Sequence, residues 1–239
     1  MQQDYIGDEL TLFEQAKNWK AYWGSYLQPY LKGDILEVGA GLGGTTIALS
    51  QFPRKSWTCL EPDATLTAQL QEKLALGEIQ PDTTIITGTL SDIPVGSKYD
   101  CIIYIDVIEH IEDDYAELTH AAHFLKENGI LFVLVPAHQW LFSPFDKAIG
   151  HYRRYNKQRL KAAGGRSGLT LNSLKYLDTT GLLASTVNKV LLRQSMPTSG
   201  QIAFWDKIIV PSSRLIDKLL GNSMGKTVIG IWGNKKRED

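Results

Sequence analysis

Charge and length set the first limits on this chain of 239 residues, which carries 25 basic and 26 acidic side chains. The near balance argues against a dedicated nucleic-acid binder, whose footprint is a basic surplus, and the length suits a single α/β domain over residues 1–239. The two cysteines, Cys59 and Cys101, lie in apolar runs and form no metal-ligand pair or disulfide framework. No signal region and no run of about 18 apolar residues occurs, so we expect a cytoplasmic protein without a transmembrane segment.

Strand-like and helical patterns alternate through the first half of the chain. This alternation predicts βαβ units and therefore a Rossmann-like, doubly wound α/β fold with a mostly parallel sheet and helices on both faces. Ligands of such sheets bind beyond the carboxyl ends of the strands. The predicted strands here are 35–39, 56–61, 83–87, 99–105 and 129–135, and the predicted helices are 9–30, 43–52, 63–77 and 113–127.

The pattern changes after residue 137. Residues 138–156 are rich in aromatic and charged side chains. Two further strands bring the sheet to seven, but the gap between them far exceeds a hairpin loop. We therefore predict a helical cap inserted between the last two strands, at about 181–224. The predicted elements are a short helix at 157–163, strands at 169–178 and 227–232, and helices at 181–194 and 201–220.

A glycine cluster follows the first strand. Gly39, Gly41 and Gly44 fit the G-x-G-x-x-G dinucleotide fingerprint, while Gly39, Gly41 and Gly43 fit the G-x-G-x-G loop of methyltransferases. The glycines allow a tight turn and close approach of the backbone to a ligand. Glu37 places a carboxylate in a strand expected to be buried on both faces, which a purely structural turn would rarely do.

Four segments together resemble a class I S-adenosylmethionine (SAM)-dependent methyltransferase. Ile-Leu-Glu-Val-Gly-Ala-Gly-Leu-Gly at 35–43 resembles the first motif of that family, and Leu-Glu-Pro-Asp at 60–63 resembles the end of its second strand. Residues 99–114 are similar to the fourth-strand motif of the quinone-biosynthesis-like branch (methyltransferase types 11 and 12), and residues 150–156 resemble a later motif of that branch. The resemblance implies SAM as cofactor and S-adenosylhomocysteine as product.

The resemblance also implies a set of cofactor contacts. Glu61 would accept hydrogen bonds from both ribose hydroxyls, although it could instead serve as a charge at a helix N-terminus. Glu37 would favour the ammonium of the methionine tail, directly or through water; the alternative is a salt bridge with a buried Lys or Arg. The loop itself and its continuation would contribute Gly39, Ala40, Gly41, Gly43 and Pro62.

Adenine and methionine contacts are implied at the next two strand ends. The family often has Asp after the glycine that corresponds to Gly88, where it accepts a hydrogen bond from the adenine amino group. This chain has Thr89 there, so the backbone amide of Leu90 would contact the adenine, and Ser91 or Asp92 could substitute for the missing Asp. The alternative role of Asp92 is a turn or cap. The residues implied for the methionine moiety are Asp106 and Val107.

The N-terminal segment, about 1–31, resembles the lid helices of the family. Trp19 and Tyr22 would lie over the cofactor, where an aromatic face suits a sulfonium cation. Core packing against the sheet is the alternative for either residue.

The acceptor wall is predicted in residues 138–155. His151 is the first candidate for a general base, because imidazole titrates near neutrality, and His110 is the second. Arg153 and Arg154 could bind a carboxylate or phosphate. The alternative is that this segment defines the start of a helix, because Asn156 has the features of an N-cap. The remaining predicted substrate contacts are His138, Trp140, Phe145 and Tyr155.

The expected function is methyl transfer to a small-molecule acceptor, at a hydroxyl or carboxyl oxygen. The apolar cap suggests a hydrophobic or lipid-like acceptor. The alternatives are N-methylation of a small amine, an NAD-dependent oxidoreductase on the same nucleotide-binding fold, and a non-catalytic SAM-binding protein. Lys207, Arg214 and Lys218 could face an anionic membrane surface, giving peripheral contact, and the chain could be a monomer or a homodimer.

Metal dependence stays open at this stage. Glu109 with His110 is not a metal site by spacing alone, so no metal ligand is assigned. Some relatives in the quinone branch use a divalent ion near such residues, which makes a chelator test worthwhile.

Overall fold

A seven-stranded sheet forms the centre of the protein. The computed structural model describes residues 11, 13–189 and 198–234, and the strands are ordered β3-β2-β1-β4-β5-β7-β6. The strand bounds are β1 Asp34–Val38, β2 Ser56–Glu61, β3 Thr83–Thr87, β4 Tyr99–Ile105, β5 Leu125–Pro136, β6 Thr170–Leu177 and β7 Thr227–Gly233.

The sheet is parallel except at β7, which runs antiparallel to both β5 and β6. The predicted mostly parallel, seven-stranded α/β fold is therefore confirmed. Because β7 is reversed, its first residue, Thr227, pairs with Pro136, the last residue of β5. The start of β7 consequently lies at the carboxyl edge of the sheet, where ligands bind in this class of fold.

Helices cover both faces of the sheet, and a π-helical turn at Trp205–Ile209 joins the last two. The apolar core lies in two layers, one on each face, with Trp57 in one layer and Trp232 in the other. The helices are α1 Lys17–Leu27, α2 Gly44–Leu49, α3 Ala64–Ala75, α4 Asp114–Ala122, α5 Pro144–Ala148, α6 Lys157–Gly165, α7 Thr179–Val187, α8 Ser199–Phe204 and α9 Val210–Leu219.

One predicted boundary is wrong. The helix predicted at 113–127 ends at Ala122, and β5 already begins at Leu125. Leu125 pairs with Tyr99 of β4, and Lys126 lies 2.7 Å from the carboxylates of both Asp34 and Asp100. These tertiary contacts bind the segment to the sheet. The part of the predicted helix 181–194 that follows residue 189 lies outside the described residues.

The cap between β6 and β7 is joined to α1 by buried carboxylates. Asp206 accepts hydrogen bonds from the backbone N–H of Trp19 (2.8 Å) and of Asn18 (3.2 Å), so it caps the first turn of α1. The Tyr22 hydroxyl donates to Asp217 at 2.8 Å. These bonds fix α1 and the cap together at the sheet edge. Within the described ranges, no helix has the length and apolar content needed to cross a membrane.

Candidate active site

A large cleft opens at the carboxyl edge of the sheet, with a volume of about 1620 Å³. Ligand pockets commonly have volumes of roughly 300–1,000 Å³, so this cleft has room for a cofactor and a second molecule. We call one side the cofactor half; it is formed by residues 38–42, 44–45, 60–63, 66, 88–90 and 105–107. The other side is the acceptor half, formed by residues 109–111, 141–146, 149–152 and 154, the cap and Lys226.

The glycine loop forms the floor of the cofactor half. Gly39 has a φ of +70°, and a Cβ there would lie 2.6 Å from Cγ2 of Val107, so only glycine fits. Gly39, Ala40 and Gly41 line the cleft. Gly43 instead turns toward α3, because a Cβ on it would lie 2.7 Å from Leu70. The first part of the loop is therefore available to a ligand, whereas Gly43 allows helix packing.

Glu61 presents a carboxylate to the cleft from the end of β2. Its two oxygens accept hydrogen bonds from the backbone N–H of Gly41 (2.8 Å) and of Asp63 (3.0 Å). Burial raises its pKa. The N-cap of α3 is Asp63, which accepts from the N–H groups of Thr65 and Leu66. Glu61 is thus free of the capping role, and both it and Pro62 line the cleft.

Glu37 lies beneath the loop. Its carboxylate accepts hydrogen bonds from the Thr46 hydroxyl at 2.5 Å and from the Trp57 indole N–H at 2.8 Å. Burial raises its pKa to about 7. Glu37 does not line the cleft, so its side chain is not placed for direct contact with a ligand there. Its visible role is to hold α2 against β1 and β2.

Thr89 and Leu90 line the next part of the cofactor half. The Thr89 N–H and hydroxyl donate to the Asp92 carboxylate at 2.8 and 3.1 Å. Thr89 is therefore the N-cap of the short 3₁₀ turn Leu90–Asp92, and Asp92 completes its capping box. The side chain of Asp92 is occupied by this turn.

Of the two predicted lid aromatics, one reaches the cleft. Trp19 lines it, together with Lys20 and Trp23 of the same helix. Tyr22 is buried and bonded to Asp217 of the cap, so it packs between helices and lies outside the cleft lining. The sequence did not identify Lys20, whose pKa is lowered by burial.

Asp106 stands at the boundary between the two halves. Its φ is +53°, and its N–H donates to Leu134 at 2.9 Å. The side chain is exposed in the cleft, and the protein around it raises its pKa against the opposing charges of Lys226 and Arg154. Both Asp106 and Val107 line the cleft, as the resemblance implies.

His151 and Asp146 form a hydrogen-bonded pair in the acceptor half, with Nδ1 of His151 3.0 Å from Oδ1 of Asp146. Asp146 also accepts from the Ser143 hydroxyl (2.7 Å) and from two nitrogens of Arg154 (2.8 and 3.0 Å). Burial alone would raise the pKa of Asp146, but the bonds from His151 and Arg154 hold it below its ordinary value. In a neutral imidazole, an ionised Asp146 favours the tautomer that carries its proton on Nδ1, in which Nε2 is an acceptor.

His110 packs edge-on against His151, with ring centroids 4.4 Å apart. Burial is the main cause that lowers the pKa of His110 to about 4, so its ring is neutral at neutral pH. Glu109 lies beside both: its Oε1 is 3.9 Å from Nε2 of His151. Glu109 is completely buried, and neither of its carboxylate oxygens has a hydrogen-bond partner among the described residues.

These three residues could hold a metal ion. One ligand atom each from Glu109, His110 and His151 lies within 4.8 Å of the other two. A carboxylate with two imidazoles suits a divalent ion such as Mn²⁺, Fe²⁺ or Zn²⁺, and the unpaired oxygens of Glu109 fit this role. The sequence spacing could not reveal the cluster because His151 comes from a separate loop.

The predicted substrate arginines are both engaged elsewhere. Arg153 donates to the backbone oxygens of Ile111 and Glu112, both at 2.7 Å, and lies outside the cleft lining. Arg154 lines the cleft, but its guanidinium is held by Asp146. The expected direct anion contact from Arg153 therefore needs correction: this side chain fixes the loop that follows β4.

Three other predicted wall residues also lie outside the cleft lining. Tyr155 is fully buried and donates to Asp114 at 2.6 Å. His138 stacks on Tyr176, and Trp140 is 51% exposed on the outer surface. Phe145 does line the cleft. The N-cap at Asn156 is confirmed, since its side chain accepts from the N–H of residue 159 at 2.7 Å.

Lys226 is the main residue that the sequence reasoning missed. It lines the cleft, and no hydrogen bond or ion pair of its Nζ occurs within the described part of the chain. Burial lowers its pKa, against the charges of Asp178, Asp146 and Asp106. Its position just before the reversed strand β7 places it at the carboxyl edge. The signal that could have identified Lys226 is the antiparallel direction of the last strand, which brings the start of that strand to the carboxyl edge.

The remainder of the acceptor half is largely apolar. The cap contributes side chains to its roof, and the segment after β5 contributes its wall. The roof includes Ala184, Ile202, Phe204, Trp205 and Ile209, and the wall includes Leu141, Phe142, Phe145 and Ile149.

The fold and the glycine loop define a Rossmann-like nucleotide-binding domain, and sequence comparison gives its family. Residues 14–174 match the model of a methyltransferase domain family, so the chain belongs to this family. A ribosomal protein L11 methyltransferase from Geotalea uraniireducens is 27% identical over 111 residues, which cover 45% of this chain and 34% of that protein. The chain thus matches about a third of the length of this curated relative.

Solved structures share the fold. Phosphoethanolamine N-methyltransferase 2 from Haemonchus contortus, in complex with SAM, has a TM-score of 0.64 at 15% identity, covering 98% of this chain and 59% of that one. An O-methyltransferase family protein from Burkholderia thailandensis has a TM-score of 0.55 at 11% identity, covering 86% and 52%. The expected SAM-dependent class I methyltransferase family is confirmed, and SAM is its cofactor. This family membership removes the support for a nicotinamide oxidoreductase.

Proposed function

We propose that this protein transfers the methyl group of SAM to a hydroxyl oxygen of a small, mainly apolar acceptor, with His151 as the general base. The observation that carries the proposal is the His151–Asp146 pair, whose 3.0 Å bond aims an imidazole at the acceptor half. Bound SAM supplies a methyl group on a sulfonium, which is a good leaving group.

The cofactor half is proposed to hold SAM through the loop Gly39–Gly41 and Glu61. The loop lets the backbone approach the ligand closely, and Glu61 has carboxylate lone pairs beyond the two that Gly41 and Asp63 use. Thr89 and Leu90 are assigned to the adenine through backbone groups. Asp106 is assigned to the methionine moiety, because it stands where the two halves meet.

The presence of a base favours a hydroxyl acceptor over a carboxylate acceptor. A hydroxyl is protonated at neutral pH and benefits from a base, whereas a carboxylate is already ionised. In the proposed step, the acceptor oxygen bonds to the methyl carbon as its proton passes to Nε2 of His151. The bond between methyl carbon and sulfur breaks, and its electron pair stays on the sulfur of S-adenosylhomocysteine. Asp146 orients His151 and stabilises the imidazolium that forms.

Two features of the acceptor half suggest the kind of molecule. Its roof and wall are apolar, which favours an acceptor with a hydrocarbon body. Lys226 adds a cation at the base of the same space, with its Nζ 5.5 Å from the ring centre of Trp205 and no carboxylate partner among the described residues. We infer an amphiphilic acceptor whose polar group, anionic or oxygen-rich, lies against Lys226.

A divalent ion is the second candidate for the same cluster, favoured by the unpaired oxygens of Glu109. Glu109, His110 and His151 would hold it, and the ion would supply Lewis-acid activation of the acceptor oxygen. His151 would then be a ligand and not the base. Titration of the chelator-treated protein with Mn²⁺, followed by thermal unfolding, separates the two roles. A metal-dependent rise in Tm that Glu109→Gln abolishes supports the ion, and no rise supports the base.

The test of the proposed function is a set of matched acceptors that share one apolar body and differ in a hydroxyl, carboxyl or amino group. We expect S-adenosylhomocysteine release with the hydroxyl compound and none with its methyl ether. Release with the amine alone would replace this proposal by N-methylation. Release from the carboxyl compound, unchanged in His151→Ala, would mean that no base is used. SAM binding without turnover on any member would favour a non-catalytic protein.

A further inference from the structure

The outer face of the cap carries large apolar side chains in contact with solvent. Ile208, Leu215 and Leu219 follow one another along the π-helical turn and α9, and each is 58–77% exposed. We call these three residues the cap face. Large exposed apolar side chains that share a face mark an interaction surface more often than a chance arrangement.

A basic stripe runs beside the cap face. Lys207, Arg214 and Lys218 are all exposed, and each stands immediately before an apolar residue of the cap face in the sequence. Since the spacing is the same along the helix, the basic and apolar side chains form two neighbouring rows. Arg214 also stacks over Tyr22, with its guanidinium carbon 5.5 Å from the ring centre.

The opposite side of the segment 202–217 is buried at every third or fourth residue, so the segment turns one continuous face inward. The exposed pairs 207–208, 214–215 and 218–219 fall between these buried positions. The buried positions are Ile202, Asp206, Val210, Ser213 and Asp217.

The acidic residues of the cap point inward. Within the described ranges 179–189 and 198–220 the acids are Asp206 and Asp217, and both are buried in bonds with α1. The exposed charges of these ranges are therefore all positive, on a chain whose formal net charge is −1. A basic surface of this kind complements an anionic one.

We propose that the cap face binds an anionic lipid surface, with α9 lying in the plane of the headgroups. The three apolar side chains of the cap face would enter the boundary between headgroups and acyl chains, and the lysines would pair with lipid phosphates. Leu183 and Val187 extend the exposed apolar surface on α7, which is bonded to α9 through Thr180 and Ser213. The proposal rests on this surface and is independent of the methyl acceptor.

Vesicle sedimentation tests it with the full chain. We expect binding to vesicles of phosphatidylglycerol and phosphatidylcholine, and at least tenfold weaker binding to phosphatidylcholine alone. The double variants Leu215→Ser/Leu219→Ser and Lys207→Glu/Lys218→Glu should each weaken binding to the anionic vesicles about tenfold or more. The first removes apolar side chains that would enter the lipid, and the second reverses charges that would attract it. Added salt should weaken the wild type as well.

Matched controls lie on other surfaces. Leu76→Ser removes a leucine that is 68% exposed at the end of α3, and Lys161→Glu reverses an exposed charge on α6; both should bind anionic vesicles as the wild type does. Equal losses in controls and cap variants, or no vesicle binding at all, would overturn the proposal. A dimer in sedimentation velocity that Leu215→Ser/Leu219→Ser dissociates would also overturn it, because a second copy of the chain would then cover the cap face.

Discussion

The two halves of the cleft are built in different ways. The cofactor half uses backbone groups and side chains at the ends of β1, β2 and β3, such as Gly39 and Glu61. The acceptor half brings together side chains from separate segments: Glu109 after β4, Asp146 and His151 after β5, and Lys226 before β7. The fold itself therefore positions the first half, whereas the chemistry of the second depends on loops that can change while the fold stays the same.

The largest expected effect separates chemistry from cofactor binding. His151→Ala should lower kcat by about 10²–10⁴-fold, the usual contribution of a general base, and leave the Kd for SAM unchanged. Asp146→Asn should lower kcat less and shift its pH profile, since it removes the orienting charge from Nδ1. Single-turnover kinetics and calorimetry measure the two quantities. The control is His123→Ala, which changes an exposed histidine at the end of α4. Weaker SAM binding by His151→Ala would contradict the separation of the two halves.

The second prediction acts on the cofactor half alone. Gly39→Val should weaken SAM binding by about 100-fold or more, because its Cβ would lie 2.6 Å from Cγ2 of Val107 and force the loop or Val107, which both line the cleft, to shift. Gly96→Val is the matched control: its φ is also positive (+86°), but a Cβ there meets nothing within 4 Å. Both variants place a β-branched residue at a positive φ, so calorimetric titration isolates the steric effect at Val107. Equal SAM binding by the two would show that the loop is misassigned.

The third prediction concerns acceptor recognition. Lys226→Met should raise KM for an acceptor with an anionic group about tenfold and leave the Kd for SAM unchanged, because the substitution keeps the length of the side chain and removes its charge. The KM for an uncharged acceptor should hardly change in this variant. Lys161→Met on the outer surface of α6 is the control. A loss confined to SAM binding would move Lys226 into the cofactor half.

The smallest effect is on stability beneath the loop. Burial raises the pKa of Glu37 from 4.5 to about 7, so the folded chain binds this proton more tightly than the unfolded chain does. Ionisation therefore costs stability as the pH rises from about 4.5 to 7. Glu37→Gln should not have this loss, and its Tm should rise relative to the wild type by a few degrees across that interval. Parallel Tm profiles of the two proteins, with exposed Glu78→Gln as the control, would contradict this.

The same difference between the two halves of the cleft decides which residues the sequence can predict. Strands such as 56–61 and 83–87 are predicted at their observed bounds, because apolar runs between turn residues are local signals. The glycine loop and Glu61 are local as well. In contrast, Asp146 and Arg154 pair through a tertiary contact, and Tyr155 and Arg153 are drawn into the interior by Asp114 and by carbonyl groups of another loop. Residue type alone could not tell these anchoring side chains from residues that face the cleft.

Lys226 shows the limit most clearly. The last strand, 227–232, is predicted correctly, but the sequence does not state that it runs antiparallel to β5. That single topological fact moves Lys226 from the far edge of the sheet to the cleft. Residues of the acceptor half therefore become recognisable only after the strand order and directions are known.

The central claim is that the cofactor half binds SAM independently of the acceptor half. Calorimetric titration of SAM into the wild type, His151→Ala and Gly39→Val tests it in one experiment. We predict one SAM site per chain in the wild type, the same affinity in His151→Ala and loss of binding in Gly39→Val. Absence of SAM binding by the wild type, or equal losses in both variants, would contradict the account.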